Sequence, residues 1–184
     1  IGHVDDFFAI TAEKKDELPV WNGEMYYENH RGTFTSQAFV KKNNRKGEYA
    51  IERNEMLSVI AGKLLGSDYP KEDIEKAWRM LLTNQFHDIL PGTSIHEVFE
   101  DCKKEYAELR RMNGELKDSL LAALNAQVAT EGDSLICWNL LSCENALPIT
   151  AKVESDALVP LGADGKALPC TFETVDGELY ITFT

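Results

Sequence analysis

The sequence predicts an α+β chain in which a three-helix bundle is followed by the start of an antiparallel β-sandwich domain. Three observations carry that expectation. Between about Ser36 and Val128, apolar residues recur every three or four positions in three long stretches separated by short joints. After Asp133 the period changes to short apolar runs and alternation. The motifs Gly162-Ala163-Asp164-Gly165 and Asp176-Gly177 then supply hairpin-type turns. The change of pattern places a boundary near Ala129 to Asp133.

Taken in order, the first twenty residues hold a short apolar patch, Phe7-Phe8-Ala9-Ile10, a polar stretch from Thr11 to Glu17 and a turn at Leu18-Pro19-Val20-Trp21. They read as the end of a preceding unit. Asn22 to Thr35 has no helical period and reads as a loop with local extended pieces. A first helix is expected from about Ser36 to Gly66, with Tyr49, Met56, Leu57, Val59, Ile60 and Leu64 as its apolar stripe. Gly47 is expected to weaken or kink it, by about 1 kcal/mol relative to Ala.

A second helix is expected to start at Pro70, where a missing N–H costs nothing, with Glu72 and Asp73 in its positive first turn. Its stripe is Ile74, Trp78, Leu81 and Leu82, and Pro91-Gly92 closes the segment. Ser94-Ile95-His96-Glu97 has the form of a capping box, in which Ser94 and Glu97 each satisfy an orphan donor. From there Val98, Cys102, Tyr106, Leu109, Met112, Leu116, Leu120, Leu124 and Val128 trace a third helix near thirty residues long. Four or so antiparallel strands are expected beyond Asp133, beginning with the run Leu135-Ile136-Cys137-Trp138.

Composition narrows the function classes. The 184 residues carry 19 Lys+Arg against 31 Asp+Glu, a formal charge of −12. Such a surface repels polyanions and gains no counterion release, so no nucleic-acid partner is expected. No run reaches the roughly 18 apolar residues of a membrane span, and no membrane partner is expected either. A chain of this length buries roughly 70% of its unfolded surface without staples. Cys102, Cys137, Cys143 and Cys170 stand 35, 6 and 27 residues apart with no C-x-x-C pair, and read as reduced thiols, with two disulfides in a secreted chain as the alternative. The chain starts Ile1-Gly2-His3 with no signal-like segment and stops within an alternating run, so both ends look cut from a larger polypeptide.

Two segments have chemical content. In Asn84-Gln85-Phe86-His87-Asp88-Ile89-Leu90-Pro91-Gly92-Thr93 a His and an Asp are adjacent at a helix end, before a turn that can present both into a cleft. An imidazole there can ligate zinc and the carboxylate can bind a sugar hydroxyl; equally, the His can simply complement the negative end of the helix dipole. Trp21 to Thr33 collects Glu24, Tyr26, Tyr27, Glu28, His30 and Arg31, a composition suited to carbohydrate or to a loop packed on a neighbouring domain. The island Lys41-Lys42-Asn43-Asn44-Arg45-Lys46 reads as a solvated helix face, His96 as surface and Trp78 as core. There is no Walker motif, G-x-G-x-x-G or G-x-S-x-G.

Several segments in register resemble one family: Leu18-Pro19-Val20-Trp21-Asn22-Gly23-Glu24, His30-Arg31-Gly32-Thr33-Phe34-Thr35-Ser36-Gln37, Asn44-Arg45 with Glu48 and Glu55, Ala77-Trp78, and Asn84 through Ile95. Together they are similar to the middle portion of bacterial and vacuolar-type α-mannosidases of glycoside hydrolase family 38, over roughly Leu18 to Leu124. The resemblance implies that residues 1–20 end a preceding catalytic domain, residues 21–130 form the three-helix middle domain, and residues 131–184 begin a C-terminal β domain. It implies a zinc ion, or another divalent metal, shared between His87 and ligands of the absent N-terminal domain. Asp88 would contact mannose hydroxyls, Glu24 would stand near the acid/base position and Arg31 near substrate.

The implied activity is retaining hydrolysis of terminal α-mannosides. The nucleophile lies outside this chain, so the piece alone is expected to be inactive. The partners implied are an α-mannoside and the flanking domains of the parent chain; the lack of a signal-like segment and the free-looking cysteines lead to a cytoplasmic parent as the expectation. The alternative is a helical interaction or scaffold module without chemistry.

Overall fold

A computed structural model describes residues 2–23, 32–130 and 134–184. The chain divides into two compact units, residues 1–129 and 130–184.

The first unit opens with a helix that the apolar pattern did not suggest, α1 (Val4–Glu13). His3 caps it by accepting the Asp5 amide on Nδ1 at 3.4 Å, and Asp5 and Asp6 sit in its positive first turn. None of its residues is buried.

Helix α2 (Ala38–Leu65) ends where expected, on Gly66 in the left-handed region (φ 71°), whose N–H reaches Gly62 O at 3.1 Å. Of the expected stripe only Leu57 is buried, and the inward face follows a different line. Tyr49, Val59 and Leu64 are exposed, and the buried positions are Val40, Asn44, Gly47, Ile51, Asn54, Leu57, Ser58 and Ala61. Small and amide side chains line this seam because it lies between two other helices. Gly47 does not interrupt the helix but admits Leu81 and Leu109 against its backbone. The basic island is likewise not wholly solvated: Asn44 is buried and Lys41 is partly buried.

Helix α3 (Lys71–Asn84) follows Pro70 and buries Ile74, Ala77, Leu81 and Asn84, leaving Leu82 exposed. Trp78 is half-buried against the core and donates Nε1 to Glu55 Oε1 at 3.2 Å. Helix α4 (His96–Asn125) is 30 residues long. The capping box does not form: the N-cap is Ile95, without a side-chain hydrogen bond, because Ser94 belongs to the preceding turn, its N–H given to Asp88 O at 2.9 Å. Phe99, Cys102, Tyr106, Leu109, Asn113 and Leu124 are its buried positions, and His96 is exposed as expected. One core joins the three long helices through Val40, Ile51, Ile74, Ala77, Leu81, Phe99, Cys102, Tyr106 and Leu109. Each fully buried aliphatic or aromatic side chain there contributes roughly 1.5–3 kcal/mol.

The second unit contains a three-stranded antiparallel sheet ordered β1-β3-β2: β1 (Ile149–Val153), β2 (Cys170–Val175) and β3 (Glu178–Phe183). Asp176 (φ 52°) and Gly177 (φ 82°) make the β2–β3 hairpin, both in the left-handed region that a tight twisted turn requires. Ile181 is buried opposite Ala151 on one side and Phe172 on the other. Two expected strands are not strands. Leu135 to Trp138 forms none, and around Gly162-Ala163-Asp164-Gly165 pairing stops at the bridge Leu161↔Ala167. All four cysteines are free thiols. No helix among the described residues is long and apolar enough to cross a membrane.

Candidate functional site

Helix α3 stops at Asn84, and a compact turn carries the chain to α4. Ile89 and Leu90 N–H both donate to Phe86 O, at 2.9 and 3.1 Å, and Gly92 N–H donates to Ile89 O at 3.0 Å. The amides of Thr93 and Ser94 converge on Asp88 O at 3.1 and 2.9 Å. Ile89 and Leu90 pack on the bundle core, which anchors the turn. Phe86, His87 and Asp88 all face outward from it, the last two with side chains 75% and 58% exposed.

The two side chains lie side by side. His87 Nε2 lies 3.6 Å from Asp88 Oδ2, an ion-pair separation too long for a hydrogen bond. Thr93 Oγ1 donates to Asp88 Oδ1 at 3.1 Å, which orients the carboxylate and leaves Oδ2 on the His87 side. The Phe86 ring lies 4.1 Å from the imidazole, tilted by 42°. The turn is also pressed onto the segment before α2: a methyl on Gly92, at φ 87°, would meet Ser36 O and Cβ at 2.8 Å.

Chemically, the pair offers one imidazole and one carboxylate on a fixed backbone. Among the described residues no group of three or more His, Cys, Asp or Glu could hold a metal ion. An imidazole and a carboxylate are both donor types that zinc accepts, but two donors are fewer than a zinc site uses. Glu24 and Arg31, the other expected site residues, lie outside the described residues, as does His30. Nothing in the sequence alone marks Phe86 or Thr93 for a role. Thr93 stands five residues after Asp88, across the Pro91-Gly92 turn, and that spacing is the only local signal.

Residues 28–124 match the family described as alpha mannosidase middle domain. Human Alpha-mannosidase 2C1 is 34% identical over 166 residues, covering 87% of this chain, and the mouse Alpha-mannosidase 2C1 is 38% identical over 166 residues, covering 86%. The Alpha-mannosidase G of Dictyostelium discoideum is 38% identical over 103 residues, covering 56% of this chain and 9% of that protein. The chain spans 16% of the length of the human and mouse relatives. Among solved structures, an alpha-mannosidase from Enterococcus faecalis V583 superposes with a TM-score of 0.60 at 18% identity, covering 99% of this chain and 26% of that one. A protein in the glycosyl hydrolase family 38 from Enterococcus faecalis gives 0.57 at 18% identity, covering 99% and 25%. At that identity the superpositions speak to the fold, and the sequence match over the bundle speaks to descent. The chain belongs to the alpha-mannosidase middle-domain family.

Proposed function

We propose that this chain is the middle part of a metal-dependent retaining α-mannosidase acting on terminal α-mannosides. The observation that carries the reading is the turn between α3 and α4, where a core-anchored backbone holds His87 and Asp88 side by side and outward. In this reading residues 1–20 complete a catalytic domain, residues 21–130 are the middle domain, residues 131–184 open a β domain, and the parent acts in the cytoplasm.

His87 supplies one imidazole ligand to a zinc or other divalent ion whose remaining ligands come from the catalytic domain. The ion, when bound, supplies positive charge that binds and orients sugar hydroxyls. Asp88 accepts hydrogen bonds from mannose hydroxyls through Oδ2, while the Thr93 hydroxyl holds its other oxygen and fixes the carboxylate plane. Phe86 shields one face of the imidazole from water. Glu24 is assigned near the acid/base position and Arg31 near the substrate. The nucleophile belongs to the catalytic domain, so the 184-residue chain alone is inactive and binds zinc weakly.

The test is His87→Ala in the longer chain, assayed on a nitrophenyl α-mannoside with metal content measured in parallel. Loss of both metal and turnover supports the reading. Wild-type turnover would overturn it and leave the bundle as a scaffold module. A tight stoichiometric zinc site in the 184-residue chain by calorimetry would contradict the shared metal.

A further inference from the structure

The turn that presents His87 and Asp88 is held from outside, by one face of α2. Lys41 and Glu48 stand seven residues apart, two helical turns, and so project from the same side. Lys41 is partly buried and its ammonium donates to two backbone carbonyls, Ser36 O and, at 2.8 Å, Leu90 O. Glu48 Oε1 accepts Gln85 Nε2 at 3.0 Å and Asn44 Nδ2 at 3.0 Å, and its Oε2 accepts Arg45 Nη1 at 2.7 Å. Gln85 Nε2 is shared with Asn44 Oδ1, also at 3.0 Å. The two gripped residues bracket the site: Gln85 lies two positions before His87, and Leu90 lies two positions after Asp88.

For stability alone this is a poor use of a lysine. Ordering its four-carbon stem and desolvating an ammonium both cost free energy, and its acceptors here are neutral carbonyls. What the contact does achieve is to tie the segment before α2 and the turn to one donor, with Gly92 pressed against Ser36 beside it. We propose that Lys41 and Glu48 are positioning residues, a two-point clamp from α2 that fixes the Gln85–Leu90 turn so that His87 and Asp88 meet metal and mannoside in register. This rests on the mannosidase reading of that turn.

The experiment has two arms, with variants Lys41→Met and Glu48→Ala and with Lys41→Arg as the conservative control, since a guanidinium can still donate to two carbonyls. In the 184-residue chain, amide exchange at Gly92, Thr93 and Ser94 is followed against core amides of α4. The clamp predicts exchange about tenfold faster in the turn, unchanged in α4, and restored by Lys41→Arg. In the longer chain it predicts kcat lower by about 10- to 100-fold with KM for the mannoside changed far less, again recovered by Lys41→Arg. Wild-type exchange in the turn, exchange raised equally in α4, or wild-type kcat in the two clamp variants would each overturn it. Failure of the mannosidase reading shows separately, as full turnover in His87→Ala, and the exchange arm still decides whether the clamp exists.

Discussion

A methyl group placed on Gly47 would stand 2.7 Å from Leu81 Cδ1, closer than packed carbon atoms approach. Leu109 Cδ2 lies at 3.1 Å from the same point, so α2, α3 and α4 converge on a glycine. Two effects compete in Gly47→Ala. Helix propensity favours the substitution by about 1 kcal/mol, and overpacking a core in which Leu81 is fully buried opposes it by about 1–3 kcal/mol. The expected result is a net loss of roughly 1 kcal/mol by urea denaturation. In a Leu81→Ala background the closest contact is gone and only Leu109 Cδ2 remains, a movable side-chain end at 3.1 Å, so the same substitution should stabilise. No sign reversal would mean that the approach of α3 is not what requires glycine.

A second seam between α2 and α4 is polar. Asn54 Nδ2 donates to Asn113 O at 2.9 Å and to Asn113 Oδ1 at 3.0 Å, and Asn113 Nδ2 donates to Leu109 O at 2.9 Å, all buried. Asn54→Leu should cost about 2–3 kcal/mol, because it strips Asn113 of its donor inside the bundle. Adding Asn113→Leu should cost less than the two single losses summed, since one deletion already leaves the other group without its partner. Strict additivity in denaturant titrations would show that the pair is not coupled.

These two seams also show what the sequence could reveal. Element ends were legible because they depend on local backbone chemistry: Gly66 and Asp176-Gly177 read directly, and each sits at positive φ in the fold. The inward face of α2 was not, because Asn44, Gly47, Asn54 and Ser58 are buried only by virtue of what α3 and α4 bring against them. An apolar count then favours Tyr49, Val59 and Leu64, which face outward. Of the candidate site, the His87-Asp88 pair was legible as adjacent residues at a helix end. Its support was not: Lys41 meets Leu90 across 49 positions and Glu48 meets Gln85 across 37, and no local pattern encodes such pairings.

The turn itself depends on Gly92. Its φ of 87° already disfavours any other residue, and the added methyl would meet Ser36 O and Ser36 C, which are backbone atoms and cannot swing aside. Gly92→Ala should destabilise by about 1–3 kcal/mol, with the greatest rise in amide exchange at Thr93 and Ser94. Ser36→Gly should fail to rescue it, because it removes only the Cβ contact. Full rescue in a thermal melt would place the obstruction in the Ser36 side chain instead.

Stability at alkaline pH centres on Tyr106. Its side chain is buried, and among the described residues its hydroxyl is without a hydrogen-bond partner. Burial first, then the charges of Cys102, Glu105 and Glu48, hold the phenol well above its ordinary value of 10.0. Cys102 is raised above 9.0 in the same sense, by burial first and then by Glu105. The unfolded chain releases these protons at ordinary values while the folded chain keeps them, so the folded state binds more protons and stability falls as pH rises through that range. Lys41, lowered by burial, acts in the opposite direction, so the contribution of Tyr106 has to be isolated by difference. Tyr106→Phe removes a buried hydroxyl that makes no bond and should leave stability at neutral pH unchanged or higher by up to about 1 kcal/mol. Above about pH 10 its advantage over the native chain should widen, by at most about 1.4 kcal/mol per pH unit for one proton. A gap that stays constant to about pH 11 in thermal melts would mean that the folded chain ionises Tyr106 as readily as the unfolded one.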